Sequence, residues 1–119
     1  MQQPTSNIHY MKLWDAPFNS IKNGCKTIEM RLNDEKRSTI KVNDVIVFTN
    51  ISTGDKIKTK VENLYKYKTF EELYNNHDKI LIGYKENEIA SFEDMYNYYS
   101  KEDIDKYGVV GIEIRLITK

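Results

Sequence analysis

A single cysteine, Cys25, rules out an internal disulfide, and two histidines, His9 and His77, offer no metal-ligand spacing. No metal and no cofactor is therefore expected. Long apolar runs are missing: nothing approaches the ~20 residues of a membrane span, so a membrane is not an expected partner. The opening stretch MQQPTSNIHYMK lacks the basic-then-apolar pattern of a secretory signal, which points to a cytoplasmic protein. Net charge is absent as well, with 18 basic and 18 acidic side chains. Bulk attraction to nucleic acid is excluded by that balance, and any phosphate binding needs a locally cationic surface. Repeats, low-complexity tracts and linkers are also lacking. The 119 residues read as one domain, 1–119, with a single modest core.

What is present is unevenly placed. Residues 1–70 hold 12 basic and 7 acidic side chains, and residues 71–106 hold 4 basic and 10 acidic. Either the first half presents a cationic surface, or the halves neutralise each other across the fold.

Local patterns outline the elements. Ile8 to Leu13 alternates as a strand. Asp15 is placed to cap a short helix over 16–23, with Pro17 tolerated in its first turn and Gly24 at its end. Residues 27–32 alternate again, with Thr27, Glu29 and Arg31 on one face and Ile28, Met30 and Leu32 on the other. Val45-Ile46-Val47-Phe48 reads as a buried strand, and 56–68 as a long one with Val61 and Leu64 inward. Three capping boxes follow: Thr69 with Glu72, Ser91 with Asp94 and Ser100 with Asp103. They predict helices over 70–76, 92–99 and 101–107, and a last strand puts Val110, Ile112, Ile114 and Leu116 on one face. The outcome is a β-rich α/β domain with a small curved or closed sheet.

The stretch NGCKTIEMR, residues 23–31, threads charge through one of these strands. Alternation puts Glu29 and Arg31 on a common face, which is either wet or turned into the sheet's concavity. Inside, an unpaired charge costs several kcal/mol, so the two would pair with each other or with neighbours. Lys26 sits at the helix-to-strand junction, within reach of the same space.

Gly24-Cys25-Lys26-Thr27-Ile28-Glu29-Met30-Arg31 resembles the G-x-K-x-x-E-x-R signature of the ASCH domain family, which belongs to the PUA-like superfamily. The flanks agree: MKLW and PFNSIKNG before it, RLNDEKRSTIKVNDVIVF after it, then YKTFEEL and YYSKEDIDKYGVVGIEI. Asn43-Asp44 departs from the family's usual Gly-Asp, and Asn also tolerates a left-handed backbone. The resemblance implies a PUA-like β-barrel of five or six strands with short flanking helices and a cleft beside the motif. It also implies binding of RNA or of a nucleotide-like small molecule. Some members are hydrolases, and one branch removes the acetyl group from acetylated cytidine with a Lys base and a Thr nucleophile three residues later. Here Glu29 stands at the place of that threonine, and Thr27 lies two positions early.

Two uses of the motif follow. Lys26 and Glu29 form a general acid–base pair with Arg31 stabilising an anion, which would make the chain a hydrolase of ribonuclease or amidohydrolase type. Alternatively, Glu29 accepts from a base while Lys26 and Arg31 hold phosphates, which is binding without turnover. Arg37, with Lys36, extends the basic surface. Cys25 reads as a small residue at a variable position, having no histidine partner. Nine tyrosines are the other signal. In LYKYK, Tyr65 and Tyr67 alternate with lysine, as single-strand binding surfaces do, or pack along the strand edge. MYNYYS, residues 95–100, interleaves tyrosines with Asn and Ser in the same way, although Tyr96 and Tyr99 there have the spacing of helix core positions. The expectation is an RNA- or nucleotide-binding domain whose ligand meets Lys26, Thr27, Glu29, Arg31, Arg37, Tyr65 and Tyr67. A protein-interaction module is the remaining alternative.

Overall fold

A computed structural model describes residues 7–117. Five strands and three helices follow in the order β1 (Ile8–Leu13), α1 (Asp15–Lys22), β2 (Ile28–Leu32), β3 (Val45–Asn50), β4 (Lys56–Tyr67), α2 (Phe70–Asn76), α3 (Lys101–Tyr107) and β5 (Val109–Leu116). Short 3₁₀ turns lie at Arg37–Thr39 and Phe92–Asn97. All five strands join one curled sheet in the order β1-β3-β4-β5-β2, a half-barrel. β1 runs parallel to β3, and every other pairing is antiparallel. β4 carries the curl. Its first half pairs with β3, and a register shift between Val61 and Asn63 re-aims the strand as it follows β5.

Strand alternation divides the core in two. On the inner side of the curl, Ile46, Phe48, Val61 and Ile112 pack against Phe18 and Ile21 of α1. Each such buried side chain contributes about 1.5–3 kcal/mol. On the outer side, Ile28, Met30 and Leu32 of β2 join Val109 beneath α2 and α3, with Phe70, Leu73 and Ile104. The Glu29 register partner is Ile112, and that of Arg31 is Val110. Both partners belong to the inner core, so the charged face of β2 turns into the concavity.

Several local expectations shift. Asp15 does not cap α1: Trp14 holds the N-cap position without a side-chain bond, and the Asp15 carboxylate accepts from Asn50 Nδ2 at 2.9 Å. Buried Asn50 needs that partner more than a solvated helix end does. Thr69 and Ser100 accept from the N–H groups of Glu72 and Asp103, as their boxes imply. Ser91 accepts instead from Glu93, and its helix shrinks to a 3₁₀ turn ending at Asn97. The Asp94 side chain is occupied elsewhere, by the Tyr84 hydroxyl. Tyr99 stacks on Phe70 at 5.8 Å, but Tyr96 is exposed rather than in the core. The shortened turn no longer keeps both tyrosines on one helical face.

Asn43 adopts φ 78°, the left-handed conformation that Asn tolerates. The carboxylate of Asp44 beside it accepts from the backbone N–H of Lys41 and of Asn7 and pairs with His9 at 2.9 Å. Burial pushes this carboxyl upward, and those bonds outweigh it and hold it below its ordinary range. Among the described residues, no ion pair joins a cation of the first half to the acidic stretch 71–106. The halves do not neutralise each other by direct pairing.

Candidate functional site

The motif begins where α1 stops. Gly24, at φ +89°, reverses the chain, and the N–H groups of Cys25 and Lys26 both return to the Ser20 carbonyl at 3.0 Å. This turn tucks Lys26 under the helix end. From the other side, the N–H groups of Thr27 and Ile28 donate to the Leu81 carbonyl. The same 78–84 turn lays Gly83 over the lysine stem: a Cβ at Gly83 would stand 3.3 Å from Lys26 Cδ.

Glu29 is the centre of the site, 3% exposed. Its Oε1 lies 2.8 Å from Lys26 Nζ, and its Oε2 accepts from Arg31 Nε at 2.7 Å. Burial drives this carboxyl upward, but the charges and hydrogen bonds of Lys26 and Arg31 win and hold it at about 2. The guanidinium of Arg31 is held above its ordinary value: desolvation pulls down, and Glu29, Tyr99 and Asp34 more than offset it. Its Nη2 reaches across to the Lys12 carbonyl of β1 at 3.1 Å. One anion between two cations leaves the cluster with a net positive charge.

Above it opens a cleft of about 1000 Å³. Lys12, Trp14 and one side of α1 line it from the first half of the chain; Tyr74, Tyr84, Tyr98 and Tyr99 line it from the second. Tyr84 donates to Asp94 Oδ2 at 2.7 Å, with the Tyr74 hydroxyl 2.8 Å away. Burial and these bonds push the Tyr84 phenol far above its ordinary value, so it remains a proton donor. The later segment also brings Glu86 and Glu88 to the lining. The first half therefore supplies three of the lining's four cations, Lys12, Lys26 and Arg31, and residues 86–94 supply every lining anion but Glu29.

Lys26, Glu29 and Arg31 thus come together on the lining of one cleft. Thr27, Arg37, Tyr65 and Tyr67 are not part of that lining. Thr27 lies in the backbone junction between Leu81 and Ile114. Arg37 pairs with Asp34 at 3.2 Å. Tyr65 donates to Glu113 Oε1 at 2.7 Å, and its ring lies 4.6 Å from that of His77, whose Nε2 is 2.9 Å from the Tyr67 hydroxyl. Both rings pack against the outer core. Cys25 is exposed and lines the cleft. Trp14, Tyr74 and Tyr84 were not expected at the site, and Tyr98 was expected only as one ring of the MYNYYS stretch. A lone tryptophan just after a strand was an available signal for Trp14, whereas Tyr74 and Tyr84 reach the cleft only through the fold. No group of three His, Cys, Asp or Glu among the described residues could hold a metal ion.

Residues 11–118 match the family model of the ASCH domain. Among solved structures, the hypothetical protein PH0355 is 34% identical over 92% of this chain and 99% of its own, with a TM-score of 0.78. Protein PF0455 from Pyrococcus furiosus is 32% identical over 94% and 99%, with a TM-score of 0.71. An S128A mutant of ZmASCH from Zymomonas mobilis shares the fold at 14% identity, TM-score 0.68, covering 95% of this chain and 70% of its own. No curated protein matches the chain.

Proposed function

This chain belongs to the ASCH domain family, and from that premise we propose that it binds RNA or a nucleotide-like ligand in the cleft above Lys26, Glu29 and Arg31. The observation that carries this reading is the Lys26–Glu29–Arg31 cluster on the cleft's lining, two cations clamped on one buried carboxylate. An anionic phosphate is attracted by the remaining positive charge, and desolvated donors bind it more strongly than they would in water. The rings of Trp14 and Tyr98, both exposed on the lining, offer faces for a base. Glu86 and Glu88 are acceptors for exocyclic amino groups.

The hydrolase reading is weaker for a chemical reason. A general base works best with a pKa near the operating pH. Glu29, held at about 2 by its two partners, is a poor proton acceptor at neutral pH. Thr27 lies off the lining and is not placed as a nucleophile. Binding without turnover is the function this geometry supports best.

A salt titration of short single-stranded RNA and of mononucleotides tests it, with the products checked for cleavage or deacylation. Affinity should fall with salt, and Lys26→Ala should weaken it and lower the salt slope by about one unit. Affinity insensitive to both salt and Lys26→Ala would point to an uncharged ligand or a protein partner. Turnover lost in Glu29→Gln would reinstate the hydrolase.

A further inference from the structure

β1 carries a feature that the cleft does not account for. Its inward residues Met11 and Leu13 belong to the inner core. The alternate residues Tyr10 and Lys12 face out and are exposed. Tyr10 is 65% exposed, and Trp14, next on this line in extended backbone, is 60% exposed. A ring, a cation and a second ring therefore follow one another at two-residue spacing on an uncovered face. Lys12 and Trp14 line the cleft and Tyr10 does not, so the row leads out of it.

The spacing identifies what fits. At ~3.3 Å per residue the backbone positions that carry the rings at 10 and 14 are about 13 Å apart in extended chain. Bases stacked in a helix are ~3.4 Å apart, so neighbouring stacked bases cannot engage both rings. An extended strand with splayed bases can, and its phosphates then pass the ammonium of Lys12. Charge sets the direction. Lys12, Lys26 and Arg31 reach the cleft from the first half, while on the later segment Glu86, Glu88 and Asp94 outnumber Lys85, so an anionic backbone leaves over β1.

We propose that the outer face of β1 is a track for single-stranded RNA, continuous with the cleft: Trp14 stacks the base at the mouth, Lys12 meets the following phosphate, and Tyr10 stacks a base further out. The proposal rests on the reading of the cleft as an RNA or nucleotide site, and its test separates the two. Trp14 is the sole tryptophan, so its fluorescence reports stacking directly. The full chain is titrated with uridine monophosphate, with decauridylate and with a decauridylate–decaadenylate duplex at one salt concentration. Both single-stranded ligands should quench Trp14, with the decamer bound more tightly and the duplex showing no such gain. In Tyr10→Ala the gap between decamer and monomer should narrow by about tenfold, and Lys12→Ala should narrow it too. Quenching by both ligands with the gap intact in both variants overturns the track and leaves the cleft reading standing. No binding of either ligand overturns both.

Discussion

Arg31 and Lys12 join two strands that share no ladder: the guanidinium Nη2 on β2 donates to the Lys12 carbonyl on β1 across the open side of the half-barrel, at 3.1 Å. The same guanidinium binds Glu29 through Nε. One side chain therefore bridges the sheet's two edge strands and builds the cleft's floor.

Removing it should cost both. Arg31→Ala leaves Glu29 with Lys26 alone and leaves the β1 edge untied. A loss of about 3 kcal/mol is expected, as for breaking one partner of a buried pair. Arg31→Lys should recover only part, because a single ammonium cannot reproduce the planar fork. Urea unfolding measures both variants, and an Arg31→Ala protein within about 0.5 kcal/mol of wild type would show that the bridge is incidental.

Glu29 should give the domain an acid-sensitive component of stability. Its folded pKa of about 2 lies below the ~4.3 of an unfolded glutamate. The unfolded chain therefore takes up the proton first as pH falls. The contribution is complete above about pH 4.3 and is lost on descent towards pH 2; it amounts to about 3 kcal/mol. Asp44 shifts in the same direction, so the comparison must be differential. The stability gap between wild type and Glu29→Gln should shrink by about 1–2 kcal/mol between pH 7 and about pH 3. A constant gap would mean that Glu29 titrates alike in both states.

Gly83 should tolerate no side chain. Its φ of +117° disfavours any L-residue, and a Cβ would press on the Lys26 stem at 3.3 Å. Gly83→Ala is expected to destabilise by about 1–3 kcal/mol. It should also weaken ligand binding by displacing Lys26 from Glu29. Binding that stays at the wild-type level, in a variant shown to be folded by circular dichroism, would show that the lysine stem gives way without consequence.

Much of this molecule was legible in its residue order. Alternation located β1 and β5, and the Thr69 and Ser100 boxes located α2 and α3, because these signals act over a few residues and need no distant partner. The GCKTIEMR stretch announced which side chains would share a face. Alternation fixes which residues are face-mates and says nothing about which face is covered. The strand order and curl decided that, by setting Glu29 opposite Ile112 and Arg31 opposite Val110. Tertiary structure likewise turned Tyr65 and Tyr67 towards Glu113 and His77, and gathered Trp14, Tyr84 and Tyr98 from distant segments around one cleft. Ser91 misled because the Asp94 N–H closes a 3₁₀ turn on the Ser91 carbonyl, while its carboxylate accepts from Tyr84, a residue ten positions earlier. Local sequence determined the pieces and their faces; the packing of distant segments decided which polar groups were buried, because only burial compels a charge or a hydroxyl to find its partner.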